Sequence, residues 1–360
     1  MKNHYLKVIA VTFLLLLAFS CTPEVDEFGE DFDRDKMDLF FSRIEEKNLG
    51  MGSISIFKDG KEDYQTSFGF IDVENSISAN SASKYRIASI TKTFTATMIM
   101  QLVEENTLSL ETTLDDYFPE IPNAEIITIE HLLRHRSGLF NYTSGEFELG
   151  RNFESATRSE LIDYFISNGT IFEPNDKYEY SNTNYVLLSF IIEDLDTKTY
   201  EQSLNDRIAI PLNLVDTYNG EITNSDNNEA FSYYFENDNW TSILETHHTI
   251  LQGTGSIVSS AKGVNIFYQA LFDGKLISEY SLSLMTTMVD GYGFGLNSPA
   301  FYNKQGFGHT GSIDGYRSST VYFPSDDVTI TYVSNGVNMI PNDIVIGALS
   351  IYSNLDYDLP

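Results

Sequence analysis

Ser89-Ile90-Thr91-Lys92 sets a hydroxyl and an amine three residues apart, the spacing that stacks two side chains on one helical face. A serine hydroxyl is a poor nucleophile until a base takes its proton, and a desolvated lysine amine can be that base. The run Ile90–Val103 that follows predicts a helix apolar nearly all round and so buried, which puts the pair at a helix N-terminus. There the positive end of the dipole disfavours a second positive charge on Lys92, and free backbone N–H groups face any oxyanion formed. Alone the pattern is weak, because the chain carries three more copies. Ser55 and Lys58 lie in a strand-like run, where an odd spacing sends them to opposite faces. Ser81 and Lys84 lie in a polar stretch with nothing to desolvate the amine. Ser259 and Lys262 open a helix, where an N-cap serine is explanation enough. Position and company must single out Ser89.

Company is present. Tyr180-Ser181-Asn182 stands just before an apolar helical run, and His309-Thr310-Gly311 lies between strand-like segments. Around them the pattern predicts a helix carrying Met37, Phe40, Phe41 and Ile44, then strands at Ser53–Phe57 and Tyr64–Phe70 across a Gly-containing turn. Helices are expected at Ile129–Arg134, Ser159–Ser167, Tyr185–Leu195, Tyr200–Ile208, Ala261–Phe272 and Ile344–Tyr352. Strand-like runs appear at Tyr292–Leu296, Thr320–Phe323 and Thr329–Val333. Strands at both ends with helices between imply a discontinuous α/β domain, residues 36–104 and 253–360, holding a helical domain at 105–252.

The chain has 360 residues, with 22 Lys+Arg against 52 Asp+Glu and a net charge of −30. So acidic a surface repels phosphate backbones, which excludes nucleic acid as a partner. Membrane attachment cannot come from a basic patch either. The first 20 residues supply another route: Lys2 and Lys7 precede the apolar run Val8–Phe19, too short to span a bilayer and the right length for a signal-peptide core. It ends at Cys21, the only cysteine, so no internal disulfide can form. The segment resembles a bacterial lipoprotein signal, which implies lipidation of Cys21, export and anchoring to the cell envelope. Residues 21–35, with seven acids before Lys36, read as a solvated tether.

The three motifs, in that order, resemble the serine β-lactamase and penicillin-binding protein superfamily, specifically its class C β-lactamase/DD-peptidase/esterase branch. The stretches YRIASITKTFTA, TIEHLLRHRSGL, PLNLVDTY, GTGSIVSSA, YGFGL and YFPSDDVTITYVSN carry the same resemblance, from about residue 37 to residue 336. It implies a β-lactamase/transpeptidase-like fold of α+β type, an antiparallel sheet flanked by helices. It also implies that Ser89 is acylated, that Lys92 activates it, and that Tyr180 is general base and then protonates the leaving group. Asn182 would bond the substrate amide, His309, Thr310 and Gly311 would line the substrate, and the N–H groups of Ser89 and Ser312 would form the oxyanion hole. No cofactor is implied. The Ser-Asp-Asn motif of class A enzymes is absent, so deacylation would fall to Tyr180.

Two positions depart from the pattern. His309 stands where most relatives have Lys, which lowers the expectation of efficient β-lactam turnover. Asn175 stands where relatives usually have Gly. Other signals are weaker than their bland readings. His131 and His135 have zinc-ligand spacing, but Leu132 stands where the metal motif needs Glu, and HRSGL reads as a structural turn. Val258 occupies the third glycine position of a dinucleotide fingerprint, and no G-x-S-x-G elbow exists. The sequence therefore predicts a serine hydrolase acting on small acyl or peptide substrates, peptidoglycan-derived ones among them. The alternative is a penicillin-binding-like sensor or scaffold that binds wall peptides without turnover. Substrate identity and oligomeric state are left open.

Overall fold

The computed structural model describes residue 25 and residues 27–145 and 152–360. The signal segment and Cys21 lie outside the described residues. Five strands form one antiparallel sheet: β1 (Gly50–Lys58), β2 (Lys61–Phe68), β3 (Phe307–Ile313), β4 (Tyr316–Phe323) and β5 (Val328–Val337), in the order β3-β4-β5-β1-β2. The two ends of the chain thus build one sheet, because β1 pairs with β5 in the register Ile54↔Tyr332 and Ile56↔Ile330.

Alternation along β1 and β5 gives the sheet two faces. Ile54, Ile56, Val328, Ile330 and Tyr332 pack under α1 (Arg34–Glu46) and the C-terminal helix in an aromatic-rich core. The opposite face is largely polar. Thr329 and Thr331 reach Gln269 and Asn265 of the helix Ala261–Phe272, at 2.8 and 2.6 Å. Hydroxyl and amide groups pair across this polar interface, and the Gln269 Oε1 is the one side-chain atom of these four residues left buried without a partner.

The buried helix is present as α2 (Thr91–Glu104), with Phe94, Met98 and Ile99 fully buried and the threonines also inside. Thr93 and Thr95 donate to the carbonyls of Gly295 and Gly253, both at 2.7 Å, which is how a Thr-rich helix tolerates burial. Then follow α3 (Ile129–Leu133), α4 (Arg158–Asn168), α5 (Asn182–Asp196), α6 (Tyr200–Leu204), α7 (Ala261–Phe272), α8 (Glu279–Thr286) and α9 (Pro341–Tyr352). No described helix is long and apolar enough to cross a membrane.

Three expectations need correction. The described part of the acidic tether is not free of the fold: Val25, Phe28 and Phe32 are buried in the α1/α9 core, with Phe28 4.9 Å from Phe323 and Phe32 4.8 Å from Tyr352 between ring centroids. Phe28 and Phe32 dock while Glu27, Glu30, Asp31 and Asp33 stay exposed. Residues 218–245 hold no α-helix, only a 3-10 turn at Ser225–Asn227, since Tyr218–Asn219 pairs with Ile257–Ser259 and Tyr233–Glu236 forms a hairpin with Asn239–Ser242. Tyr292–Leu296 is a loop rather than a strand, with Gly295 at φ +65°.

Candidate active site

Ser89 follows a turn that tertiary contacts help to hold. Tyr85 and Arg86 pair with Ser259 and Val258, then Ala88 adopts φ +47° before the chain enters α2 through Ser89. A left-handed alanine costs about 1 kcal/mol. The neighbouring bond from Ile87 N–H to the Ile257 carbonyl at 3.0 Å helps hold it. Strand β3 passes close by, and here glycine is required. A Cβ on Gly311 would lie 2.6 Å from the Ile87 oxygen and 2.9 Å from the Ala88 Cβ.

Three side chains separated by up to 91 residues in sequence converge on one oxygen. Lys92 Nζ lies 3.0 Å from Ser89 Oγ, and the Tyr180 hydroxyl donates to the same Oγ at 3.1 Å. Lys92 is fully buried; its amine donates to the Thr254 carbonyl at 2.9 Å and stands 5.0 Å from the centre of the Tyr180 ring. Burial holds its pKa well below the ordinary lysine value. Desolvation also pushes the Tyr180 phenol well above its usual value, and the bond to Ser89 offsets this only in part. Burial therefore favours the neutral form of both groups, the free amine of Lys92 and the phenol of Tyr180.

His309 and Asn182 complete the cleft. His309 Nδ1 lies 2.6 Å from the Thr310 carbonyl, which can only accept, so Nε2 accepts from the Tyr292 hydroxyl at 3.0 Å. Burial, reinforced by the nearby Lys92, lowers the His309 pKa to about 3, so position 309 is uncharged in the working range. Asn182 is pinned at both ends: its Oδ1 accepts from the Thr254 hydroxyl and its Nδ2 donates to the Thr143 hydroxyl, each at 2.6 Å. Thr310 and Ser312 are exposed on β3 and face the opening. A cation at 309 would disfavour protonation of Lys92 and so lower its pKa further. His309→Lys is therefore expected to move the acid limb of kcat/KM to lower pH. A pH profile of acylation with a neutral ester checks it, and a limb that stays put or rises would disconnect 309 from the charge state of the site.

Sequence reasoning missed two residues here. His135 was read as part of a structural turn, yet it holds Tyr180 from both sides. Its carbonyl accepts Glu179 N–H at 2.9 Å, its Nδ1 accepts Ser181 N–H at 3.2 Å, and its ring lies 4.2 Å from the Tyr180 ring. His135 sits at φ +54°, and α3 ends before it, so it does not share a helical face with His131. His131 instead caps α3, its Nδ1 accepting Thr128 N–H at 3.2 Å. Tyr292, inside YGFGL, is the second missed residue; its signal was taken for strand alternation.

The competing Ser/Lys pairs are disposed of in other ways than expected. Lys84 is buried, but its amine bonds to Asn227 at 3.0 Å and faces Asp216 at 3.8 Å while Ser81 is exposed. Ser260, not Ser259, caps α7; Ser259 is buried against the Thr217 hydroxyl at 2.8 Å. Asn175 takes φ +69°, so the substitution for glycine keeps the left-handed turn that Asn tolerates best among residues with a side chain.

Two cavities meet at Ser89. One of about 540 Å³ is lined by Tyr178, Tyr180, Tyr292, His309 and Thr310; one of about 250 Å³ is lined by Asn182, Ile250, Leu251, Thr254 and Asp314. Among the described residues no group of His, Cys, Asp and Glu could hold a metal ion.

Comparison with known proteins bears on the family and the fold. The chain is 28% identical over 326 residues to penicillin-binding protein 4* of Bacillus subtilis, covering 84% of this chain and 72% of the relative. It superposes on the D-amino acid amidase of Ochrobactrum anthropi SV3 with a TM-score of 0.78 at 26% identity, covering 89% of this chain and 99% of the other. An octameric penicillin-binding protein homologue from Pyrococcus abyssi gives 0.78 and 26%, covering 90% and 78%. With the Beta-lactamase family model matching residues 38–349, over a sheet and site of this form, the chain belongs to the Beta-lactamase family.

Proposed function

We propose that the chain is a serine hydrolase that forms an acyl-enzyme on Ser89 and hydrolyses small amides or esters, with D-amino-acid derivatives as its substrate class. One observation carries the reading: Ser89 Oγ lies within hydrogen-bond reach of a buried amine and a half-buried phenol at once. Two relatives with the same fold, a D-amino acid amidase and a penicillin-binding protein, support amide substrates.

The charge states suggest how the proton moves. A neutral Lys92 leaves the Ser89 hydrogen free to point at Nζ, while Nζ–H donates to Thr254 and Tyr180 O–H donates to Oγ. As Oγ bonds to the substrate carbonyl carbon, its proton passes to Lys92. Collapse of the tetrahedral intermediate releases the amine or alcohol with the proton of Tyr180, and Lys92 returns one to Tyr180. This assigns the base to Lys92 and the acid to Tyr180, rather than the base role that the family resemblance implies for the tyrosine. Backbone N–H groups of Ser89 and Ser312 are the proposed oxyanion donors. The uncharged His309 disfavours substrates that rely on a cation at that place for a carboxylate. We also infer, from residues 1–21 alone, that a lipid on Cys21 anchors the enzyme to the envelope.

The test is steady-state and burst kinetics with a chromogenic ester, a cephalosporin, a D-Ala-D-Ala peptide and a D-amino acid amide. Continuous turnover of the ester or the amide is expected. A stoichiometric burst that stalls on every substrate would replace the hydrolase with a non-turnover wall-peptide sensor.

A further inference from the structure

We propose that the 250 Å³ cavity beside Ser89 takes the acyl half of the substrate, and that the Asp314 carboxylate is the counter-ion of a free α-ammonium on that half. The proposal rests on the hydrolase reading above and narrows its substrate to amides and esters of an N-terminal amino acid.

The position of the proton donor orients the substrate. Tyr180 must face the leaving group, and Tyr180 lines the larger cavity with Tyr292 and His309. The other substituent of the scissile carbonyl therefore enters the smaller cavity. Its volume is below the roughly 300–1,000 Å³ of pockets that enclose drug-sized ligands. One amino-acid residue is the fitting size, with Ile250 and Leu251 offering an apolar side.

Among the described residues lining this cavity, Asp314 is the only one with a formal charge. Its two oxygens accept from the N–H and the hydroxyl of Thr246, both at 2.9 Å, which fixes the carboxylate without neutralising it. Nearby cations are directed elsewhere. Arg317 donates to the carbonyls of Asp314 and Tyr316, and Arg86 donates to the carbonyls of Thr246 and Glu221 and pairs with Glu245 at 3.3 Å. A carboxylate has about four acceptor sites, and Thr246 takes two. An asparagine could keep both contacts, its oxygen accepting the Thr246 N–H and its amide N–H donating to the hydroxyl oxygen, so tethering the loop does not require the charge. An ammonium does. Extending the substrate beyond its N-terminus would put a neutral amide against the half-buried carboxylate and forfeit the ion pair. The net charge of −30 adds long-range attraction for a cationic substrate.

In the step itself Ser89 Oγ bonds to the α-carbonyl carbon, the C–N or C–O bond to the leaving group breaks, and the Ser89 proton ends on that group by way of Lys92 and Tyr180. The aminoacyl ester keeps its ammonium beside Asp314 until water releases the amino acid.

The experiment compares kcat/KM at pH 7 for D-phenylalanine p-nitroanilide, its N-acetyl derivative and the neutral ester p-nitrophenyl acetate. The free amine is expected to be preferred over the N-acetyl compound by about 10- to 100-fold, the range of a hydrogen bond to a charged group. Asp314→Asn should bring that ratio close to one. Because the ratio is taken within one protein sample, loss of folded fraction cancels. Equal use of the two anilides by the unaltered protein, or a preference that survives Asp314→Asn, overturns the proposal while ester turnover leaves the hydrolase reading standing. If none of the three compounds acylates Ser89, both readings fall.

Discussion

Ser89→Ala is expected to abolish covalent labelling by a fluorophosphonate and by a fluorescent penicillin, with the protein still folded. The change removes one oxygen that accepts from Tyr180 and lies by Lys92, and Lys92 keeps its bond to Thr254. Helix α2 is held by Phe94, Met98, Ile99 and Leu102, none of which touches that oxygen's role. Intact-mass spectrometry after labelling, beside circular dichroism, measures both halves. Persistent labelling would mean another nucleophile. Ser259→Ala serves as the control, since Ser259 is buried against Thr217 and should have no effect on labelling.

Lys92→Met is expected to slow acylation by about 10²- to 10⁴-fold, the usual worth of a positioned general base. Lys92→Arg should be no better, because a guanidinium keeps its proton at any working pH. Activity in the arginine variant would show that the site wants charge rather than a base. The same residue makes a stability prediction of definite sign. Its pKa is lowered in the folded state, so between that value and the unfolded value near 10.5 the unfolded chain binds more protons. Stability from this group therefore rises with pH. Lys92→Met should raise Tm most near pH 6 and least near pH 10, and thermal melts across that span read it directly. A stabilisation that grows with pH would mean Lys92 is charged in the folded protein.

Much of the chemistry is local and so was written in the order of residues. An i,i+3 serine and lysine on a buried helix share a face whatever the rest of the chain does, and Tyr180-Ser181-Asn182 leads into α5 as its apolar run predicts. The β1–β2 hairpin and α7 follow from alternation and helical periodicity in the same way. His135 was not legible, because a left-handed turn and two backbone bonds to residues 179 and 181 leave no periodic trace. Tyr292 was misread because five alternating residues look alike in a strand and in a loop held by isolated bridges. Val25, Phe28 and Phe32 were hidden by the acids between them, since composition averages over side chains that fold to opposite sides.

What the sequence by itself determined is which groups are available and, through the three motifs, the family to which they belong. Tertiary structure alone decided their protonation. The Lys92 pKa is lowered because the amine is buried beside Thr254, Tyr180 and Tyr185, residues far from it in the chain. His309 stays neutral because it is buried against Tyr292 and beside that same amine. Among the described residues no cation pairs with Asp314, because Arg317 and Arg86 are taken up by carbonyls and by Glu245. The cost of desolvating a charge depends on the atoms around it, and those are set by packing between residues that no local spacing connects.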